Sequence, residues 1–318
     1  MDYAGLIYDD SRHYIDHLGP FCALMGWPLI VCEDAVADLA TRYYPDLEVI
    51  LKNTLQLKLP RNVLTCDTRP LLEAAFPGQK TRLLWLPHGN SDKGWRGPFF
   101  EGLNGEIALV YGQKMVDFMH EKNVFPKILR MGNFRWHYYR KHRAFYDQTL
   151  EPKRGRTFLY APTWDDSENN CSFWKAFPHL AAAVPSDCHL LVKLHPNTLL
   201  KYEVELEILM GRFAAAKNVT FLPEFPPIYP LLAICDGYIG DMSSIGYDFL
   251  KFDRPLFFLN AHKHLYLSRC GTAIEANQFD FSVKDGLSHV RNEAYNYTFD
   301  PEPNWDELKR EFHALCSV

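Results

Sequence analysis

Runs of four or five apolar residues recur along the chain, and stretches with helical spacing of apolar positions follow them. Trp27-Pro28-Leu29-Ile30-Val31 has the continuous apolar character of a buried strand, and Asp34 to Tyr43 follows as a predicted helix with Asp34 near its start. Leu83-Leu84-Trp85-Leu86 predicts another strand, which ends at Pro87-His88-Gly89. Ile107-Ala108-Leu109-Val110-Tyr111 leads through Gly112 into a predicted helix from Gln113 to about Lys122, and Lys127-Ile128-Leu129-Arg130 predicts the next strand. Strand, helix, strand at this spacing is a βαβ unit, which implies parallel strands covered by helices.

From Tyr138 to Arg156 the pattern breaks. The segment is basic and polar, with Arg140, Lys141, His142, Arg143, Lys153, Arg154 and Arg156, and it contains Pro152 and Gly155. It reads as an exposed linker between domains. A second α/β series opens at Thr157-Phe158-Leu159-Tyr160. It continues with predicted strands at 190–194, 219–222, 237–240 and 256–259. Asn304 to Leu315 predicts an amphipathic helix capped by Asn304 or Asp306. The expected organisation is an N-terminal Rossmann-like domain at 1–145, a second at 146–285, and a C-terminal segment at 286–318 that packs back on the first. Ligands of open parallel sheets gather at the carboxyl ends of strands, so a cleft between the two halves is the expected site.

Composition narrows the class. The 318 residues are 47% apolar and 23% charged, which is globular. Lys plus Arg number 34 against 39 Asp plus Glu, a net charge of −5, so the chain as a whole offers no electrostatic case for nucleic acid. No apolar run approaches the roughly 18 residues of a membrane span, and Met1-Asp2-Tyr3-Ala4 does not open a signal peptide. Eight cysteines without any Cys-x-x-Cys pair read as reduced thiols, neither a disulfide frame nor a zinc site. A cytoplasmic protein is expected, with the inner face of the cell membrane as its nearest surface.

Four strand ends carry chemistry. After 83–86 come His88 and Gly89, with Lys93 and Gly94. A histidine there titrates near neutral pH, and the glycines let backbone N–H groups turn toward an anion; the alternative is a loop histidine bonded to backbone. Lys193-Leu194-His195-Pro196 closes a second strand, and the proline biases His195 toward an extended conformation, as either a functional or a structural histidine. Gly240-Asp241-Met242-Ser243-Ser244 ends a third strand and opens a helix, whose N–H groups suit a diphosphate; simple capping by Ser243 is the alternative. Gly132-Asn133-Phe134-Arg135 and Ala161-Pro162-Thr163-Trp164-Asp165-Asp166 form the fourth pair. Arg135 can fork onto a phosphate or carboxylate, and the two aspartates suit sugar hydroxyls better than a metal. No Walker loop, no Gly-x-Gly-x-x-Gly after a strand and no Gly-x-Ser-x-Gly elbow occurs.

In this order the segments resemble the CDP-glycerol glycerophosphotransferase family of teichoic acid and capsule polymer synthesis. The residues that carry the resemblance are His88-Gly89 with Lys93, Gly132-Asn133-x-Arg135, Tyr160-Ala161-Pro162-Thr163-Trp164, Leu194-His195-Pro196, and Asp241-x-Ser243-Ser244 followed by Tyr247-Asp248-Phe249 and Arg254-Pro255. His17-Leu18-Gly19-Pro20 and Tyr44-Pro45 fit it as well. The chain departs from the family at Asn90-Ser91-Asp92, at Trp136-His137, at Met242, and at Asp165, where the family often has arginine.

The resemblance implies a GT-B fold, two Rossmann-like domains facing across a cleft, with the donor nucleotide mainly in the C-terminal half. It implies His88 and His195 as the catalytic pair. Ser243, Ser244, Asp241, Thr163 and Arg135 fall to the donor phosphate and nucleotide, and Gly89 and Lys93 to the acceptor side. The expected reaction moves a glycerol phosphate, or a similar polyol phosphate, from a CDP-linked donor to an acceptor hydroxyl and releases CMP. The acceptor is a polyol phosphate, glycan or lipid-linked chain, and neither metal nor cofactor is expected. A glycosyltransferase using a nucleotide sugar and a catalytically silent nucleotide- or polymer-binding protein are the competing expectations.

Overall fold

A computed structural model describes residues 2–92, 98–150, 155–165, 171–259, 265–282 and 284–317. The chain divides into two compact units, one of residues 1–145 with 296–318 and one of residues 146–295.

The first unit holds a parallel sheet of seven strands among the described residues. They are β1 (Tyr3–Ile7), β2 (Leu29–Val31), β3 (Val49–Leu51), β4 (Asn62–Thr65), β5 (Arg82–Trp85), β6 (Ile107–Val110) and β7 (Lys127–Arg130), in spatial order β3-β2-β1-β4-β5-β6-β7. The chain begins in the middle, builds outward to β3, then crosses back to β4 and builds the other way. Gly5 of β1 pairs with Leu29 on one side and Leu64 on the other. Hydropathy missed three of these strands for identifiable reasons. β3 is a short edge strand with no buried residue. β4 begins and ends on polar residues, yet all four are buried, and Asn62 donates through Nδ2 to the Asp2 carbonyl. β1 carries a glycine at its centre and opens on a tyrosine, which breaks the apolar run.

The second unit repeats the plan with β8 (Arg156–Ala161), β9 (Cys188–Val192), β10 (Val219–Phe221), β11 (Gly237–Gly240), β12 (Leu256–Phe258) and β13 (Thr272–Ala273). The order is β10-β9-β8-β11-β12-β13, again parallel throughout. Its core joins Phe158, Tyr160, Leu190, Val192, Ile239 and Phe257 of the sheet to Phe173, Phe177 and Leu180 of the helix Phe173–Ala183. In both units the order reverses beside the first strand, between β1 and β4 and between β8 and β11. The two parallel-sheet, Rossmann-like domains expected from the sequence are therefore present.

The predicted linker is a correction. Residues 138–149 are not an open connection but parts of two helices, Phe134–Lys141 and Arg143–Thr149, and the boundary between the units falls inside the second. Asn133 caps the first helix by accepting the Trp136 N–H at 3.1 Å. Phe134, Arg135, Tyr138 and Tyr139 are buried on its inner side. Of the basic residues that suggested a linker, Arg140 and Lys141 are on the solvent side of this helix, where Arg140 meets Glu302 at 2.6 Å and Lys141 meets Asp46 at 3.2 Å, while Lys153 and Arg154 lie outside the described residues.

The last residues are part of the first unit. Asn304 caps the helix Trp305–Ser317 by accepting the N–H groups of Asp306 and Glu307. Phe312, fully buried, packs against Trp27, with centroids 4.9 Å apart, and against Tyr3. Gly132 explains how closely this segment approaches. It has φ +60°, and a Cβ there would lie 2.7 Å from the Pro301 carbonyl oxygen, so only glycine fits.

Candidate active site

In the first unit His88 stands just beyond β5, exposed between the buried Pro87 and Gly89, with Gly89 at φ 109°. A side chain at Gly89 would be strained in that conformation, so glycine frees the chain to turn directly behind the histidine. His13 meets the His88 ring edge-on at 5.6 Å, Tyr14 lies at 5.5 Å, and His17 at 6.5 Å. The surrounding protein disfavours the imidazolium and holds the His88 pKa below the ordinary histidine value, although the ring keeps a solvent-exposed face. A neutral imidazole at neutral pH can accept a proton. Lys93, the other acceptor-side residue of the sequence reading, lies outside the described residues.

Behind His88 is a buried polar network. The helix Ile15–Met25 buries nine of its eleven residues, Asp16 and His17 among them. Arg135, only 3% exposed, forms an ion pair with Asp16 at 3.0 Å, and the Tyr44 hydroxyl donates to the same carboxylate at 3.0 Å. The Arg135 guanidinium also lies over the Tyr111 ring at 5.7 Å. Arg135, assigned to donor phosphate from the sequence, thus stands inside the first unit with a buried carboxylate as partner. Burial, with Arg135, His88 and His13 nearby, holds the His17 pKa well below the usual value. Tyr14 donates to Asp67 at 3.0 Å, and burial pushes the Asp67 carboxyl above the usual carboxylate range against the pull of hydrogen bonds from Tyr8 and Tyr14. The sequence reading had singled out none of His13, Tyr14, Tyr111 and Asp67. Only Tyr111 carried a usable signal, as a polar-tipped residue closing an apolar strand.

In the second unit the candidates follow three adjacent strands. Thr163 comes after β8, Asp241 to Ser244 after β11, and His195 after β9. β8 and β11 flank the point where strand order reverses, where parallel sheets open a crevice for ligand. Asp241 is fully buried, and its Oδ2 accepts the backbone N–H groups of Thr163, at 2.9 Å, and Ser172, at 3.1 Å. It braces the loop after β8 against the loop after β11. The Ser243 side chain does not cap the helix Ser244–Phe249. Its Oγ instead lies 3.1 Å from the hydroxyl of Tyr238, which is also 3.3 Å from the Ala161 carbonyl and 3.4 Å from the Asp241 carbonyl.

His195 caps the helix Pro196–Lys201, its Nδ1 accepting the Asn197 N–H at 3.1 Å. The structural role is therefore real, and it has a chemical consequence. A ring that accepts at Nδ1 carries its proton on Nε2 and is a neutral donor there. Trp164 stacks on this ring at 6.1 Å. The position where the family often has arginine is occupied by Asp165, paired with Lys201 at 2.7 Å and accepting from Tyr202 at 2.9 Å, which ties the Trp164 loop to the helix that His195 caps. Among the described residues no three His, Cys, Asp or Glu side chains gather to hold a metal, and no helix is long and apolar enough to cross a membrane.

Comparison with known proteins agrees with the fold. The wall teichoic acid polymerase TagF superposes with a TM-score of 0.65 at 13% identity, covering 99% of this chain and 88% of TagF. Alr3699/HepE from Anabaena, in complex with UDP-glucose, matches at 0.54 and 11% identity over all of both chains. S. aureus MnaA with UDP matches at 0.55 and 12% identity, over 99% of this chain and 96% of MnaA. At these identities the likeness is one of fold, the two-domain GT-B architecture. No curated protein matches the chain. A family model does, from just before the second unit to near its end, across Thr163, His195, Asp241, Ser243 and Ser244: residues 136–282 match the CDP-Glycerol:Poly(glycerophosphate) glycerophosphotransferase family, which is the resemblance read from the sequence.

Proposed function

We propose that this protein is a transferase that moves a glycerol-phosphate unit from CDP-glycerol to an acceptor hydroxyl in cell-envelope polymer synthesis. The observation that carries the reading is the second unit's topology. Thr163 and Asp241 to Ser244 follow the two strands that flank the strand-order switch point, and His195 follows the neighbouring β9, all within the segment that matches the family. A TagF variant soaked with CDPG, HepE with UDP-glucose and MnaA with UDP all share the fold, which supports a nucleotide-linked donor.

The acceptor oxygen attacks the glycerol-bearing phosphorus. A new P–O bond forms, the bond from that phosphorus to the bridging oxygen breaks, and CMP leaves with the bond electrons. His88 takes the hydroxyl proton, which positioned acid–base catalysis makes worth about 10² to 10⁴ in rate. In the second unit the Nε2–H of His195 donates to a phosphoryl oxygen, and the Ser243 and Ser244 groups, with Thr163 held by Asp241, receive the diphosphate. Positioning and charge stabilisation are what phosphoryl transfer mainly requires. The acceptor is a polyol phosphate or a chain ending in one, and Gly89 with Lys93 belongs to its side. The protein acts in the cytoplasm, at the inner face of the membrane where such chains grow.

The test is a stabilisation panel at equal concentration of CDP-glycerol, CDP-ribitol, UDP-N-acetylglucosamine, GDP-mannose and CMP, followed by CMP release with a poly(glycerophosphate) oligomer. A donor at 100 times its Kd adds about 2.7 kcal/mol, a readily measured rise in melting temperature. Stabilisation by a CDP-polyol with CMP release is the expected result. A response only to UDP- or GDP-sugars would make the protein a glycosyltransferase, and binding without release under any acceptor would make it a silent binding protein.

A further inference from the structure

Tyr111 follows the last residue of β6 and reaches across to the loop that carries His88. Its hydroxyl donates to the Pro87 carbonyl at 3.3 Å and lies 2.9 Å from Nδ1 of His17. A phenol has one proton, and the Pro87 carbonyl can only accept. Both contacts are hydrogen bonds when Nδ1 donates, so the pair is complete in the Nδ1–H tautomer of His17. Low basicity in this buried position, with Arg135 facing it, keeps that single neutral form through the working pH range.

The tyrosine itself has little freedom. Its ring is fully buried, stacked on Phe134 at 5.5 Å, edge-on to Phe299 at 5.7 Å, and covered by the Arg135 guanidinium. His88 follows that carbonyl directly, its ring edge-on to His13 at 5.6 Å and 5.5 Å from Tyr14, with a glycine at φ 109° after it. The Pro87–His88 peptide is the backbone from which the imidazole departs, so holding its carbonyl constrains where the ring starts. Proline has no N–H to anchor, so its carbonyl is the hydrogen-bonding handle of that residue.

We propose that the His17–Tyr111 hydrogen bond is the positioning device for His88, holding the Pro87 carbonyl so that the exposed imidazole points at the acceptor hydroxyl. His17 and Tyr111 are positioning residues and touch no substrate. The inference rests on the reading of His88 as the base, and it extends that reading to the buried pair behind it.

The decisive variant is Tyr111→Phe, which keeps the ring between Phe134 and Arg135 and deletes only the hydroxyl. With CDP-glycerol as donor and a poly(glycerophosphate) oligomer as acceptor, kcat should fall about 10- to 100-fold, the cost of a misplaced catalytic group, while the donor KM stays within about twofold. His17→Asn can offer an amide N–H where Nδ1–H stood, so it should recover most of the kcat that His17→Ala loses. In ¹⁵N-histidine spectra without substrate, the wild type should show His17 protonated at Nδ1, and Tyr111→Phe should shift the His88 ring resonances at constant pH. A folded Tyr111→Phe enzyme with wild-type kcat and unmoved His88 resonances would overturn the proposal, as would a folded His17→Asn enzyme no better than His17→Ala. Failure of the base reading is a separate result. It would appear as an undiminished kcat in His88→Ala, while the His88 resonances in Tyr111→Phe would still decide whether the pair orients that ring.

Discussion

Arg135 separates two accounts of the same residue, and a single substitution distinguishes them. If it were a donor-phosphate ligand, Arg135→Met would weaken CDP-glycerol binding and leave the fold intact. The structure instead pairs its guanidinium with Asp16 at 3.0 Å, the two side chains being 3% and 12% exposed, and lays it over Tyr111. Arg135→Met then leaves the Asp16 carboxylate in a nearly dry site without the cation beside it. Removing one partner of a buried pair costs about 3–5 kcal/mol. For a unit of this size each kcal/mol lowers the melting temperature by about 2–4 °C, so a fall of roughly 6–20 °C is expected. Asp16→Asn combined with Arg135→Met removes the stranded charge and should recover most of the loss, because Asn still accepts from Tyr44. The assay is thermal and urea unfolding of the three variants, alongside calorimetric titration of CDP-glycerol into the folded forms. An Arg135→Met protein as stable as the wild type, with a donor Kd raised tenfold or more, would refute the reasoning and return Arg135 to the donor site.

Three further outcomes follow from the same geometry. Ser244→Ala should weaken CDP-glycerol binding about 2- to 10-fold by calorimetry, the worth of one net hydrogen bond, and an unaltered Kd removes Ser244 from the donor site. His17 has a folded pKa below its unfolded value near 6.5, so the unfolded chain binds the proton first as pH falls. The stability it supports is complete above about pH 6.5 and declines below it, with a slope of at most about 1.4 kcal/mol per pH unit. His17→Asn should flatten that acid side in melting curves taken across pH 4 to 7, and an unchanged slope counts against a neutral His17. Phe312→Ala opens a cavity beside Trp27 and Tyr3 and should cost about 3–5 kcal/mol in urea unfolding; a loss under 1 kcal/mol would mean that the last helix contributes little to the first unit.

Much of the fold was written in local pattern. Continuous apolar runs such as Leu190 to Leu194 are what strands covered on both faces require, and helical spacing between them forces parallel pairing. The Gly-Asn, Pro-Thr-Trp, His-Pro and Ser-Ser motifs each sit after a strand because a parallel sheet presents its chemistry there, so sequence order alone gave the candidate residues. Short-range capping was legible at Asn304, whereas Ser243, the other cap that local pattern offered, bonds Tyr238 instead. Where the local signal was weak, it failed. β3 is an edge strand of three residues, and Arg140 and Lys141 are the exposed side of a helix that buries Phe134, Arg135, Tyr138 and Tyr139.

What tertiary structure decided was partnership. Sequence made Arg135 a free cation, and folding placed the carboxylate of Asp16 against it, 119 residues away along the chain. Folding likewise brought the amides of Thr163 and Ser172 onto the Asp241 carboxylate, 78 and 69 residues away. His13, Tyr14 and His17 come to His88 from the far end of the unit's sequence, and Tyr111 reaches the Pro87 carbonyl across 24 residues. Local propensity fixes where an element begins and which of its faces is apolar. Which polar groups share a buried site depends on pairings distant in sequence, because only the packed chain removes the water that would otherwise satisfy each of them.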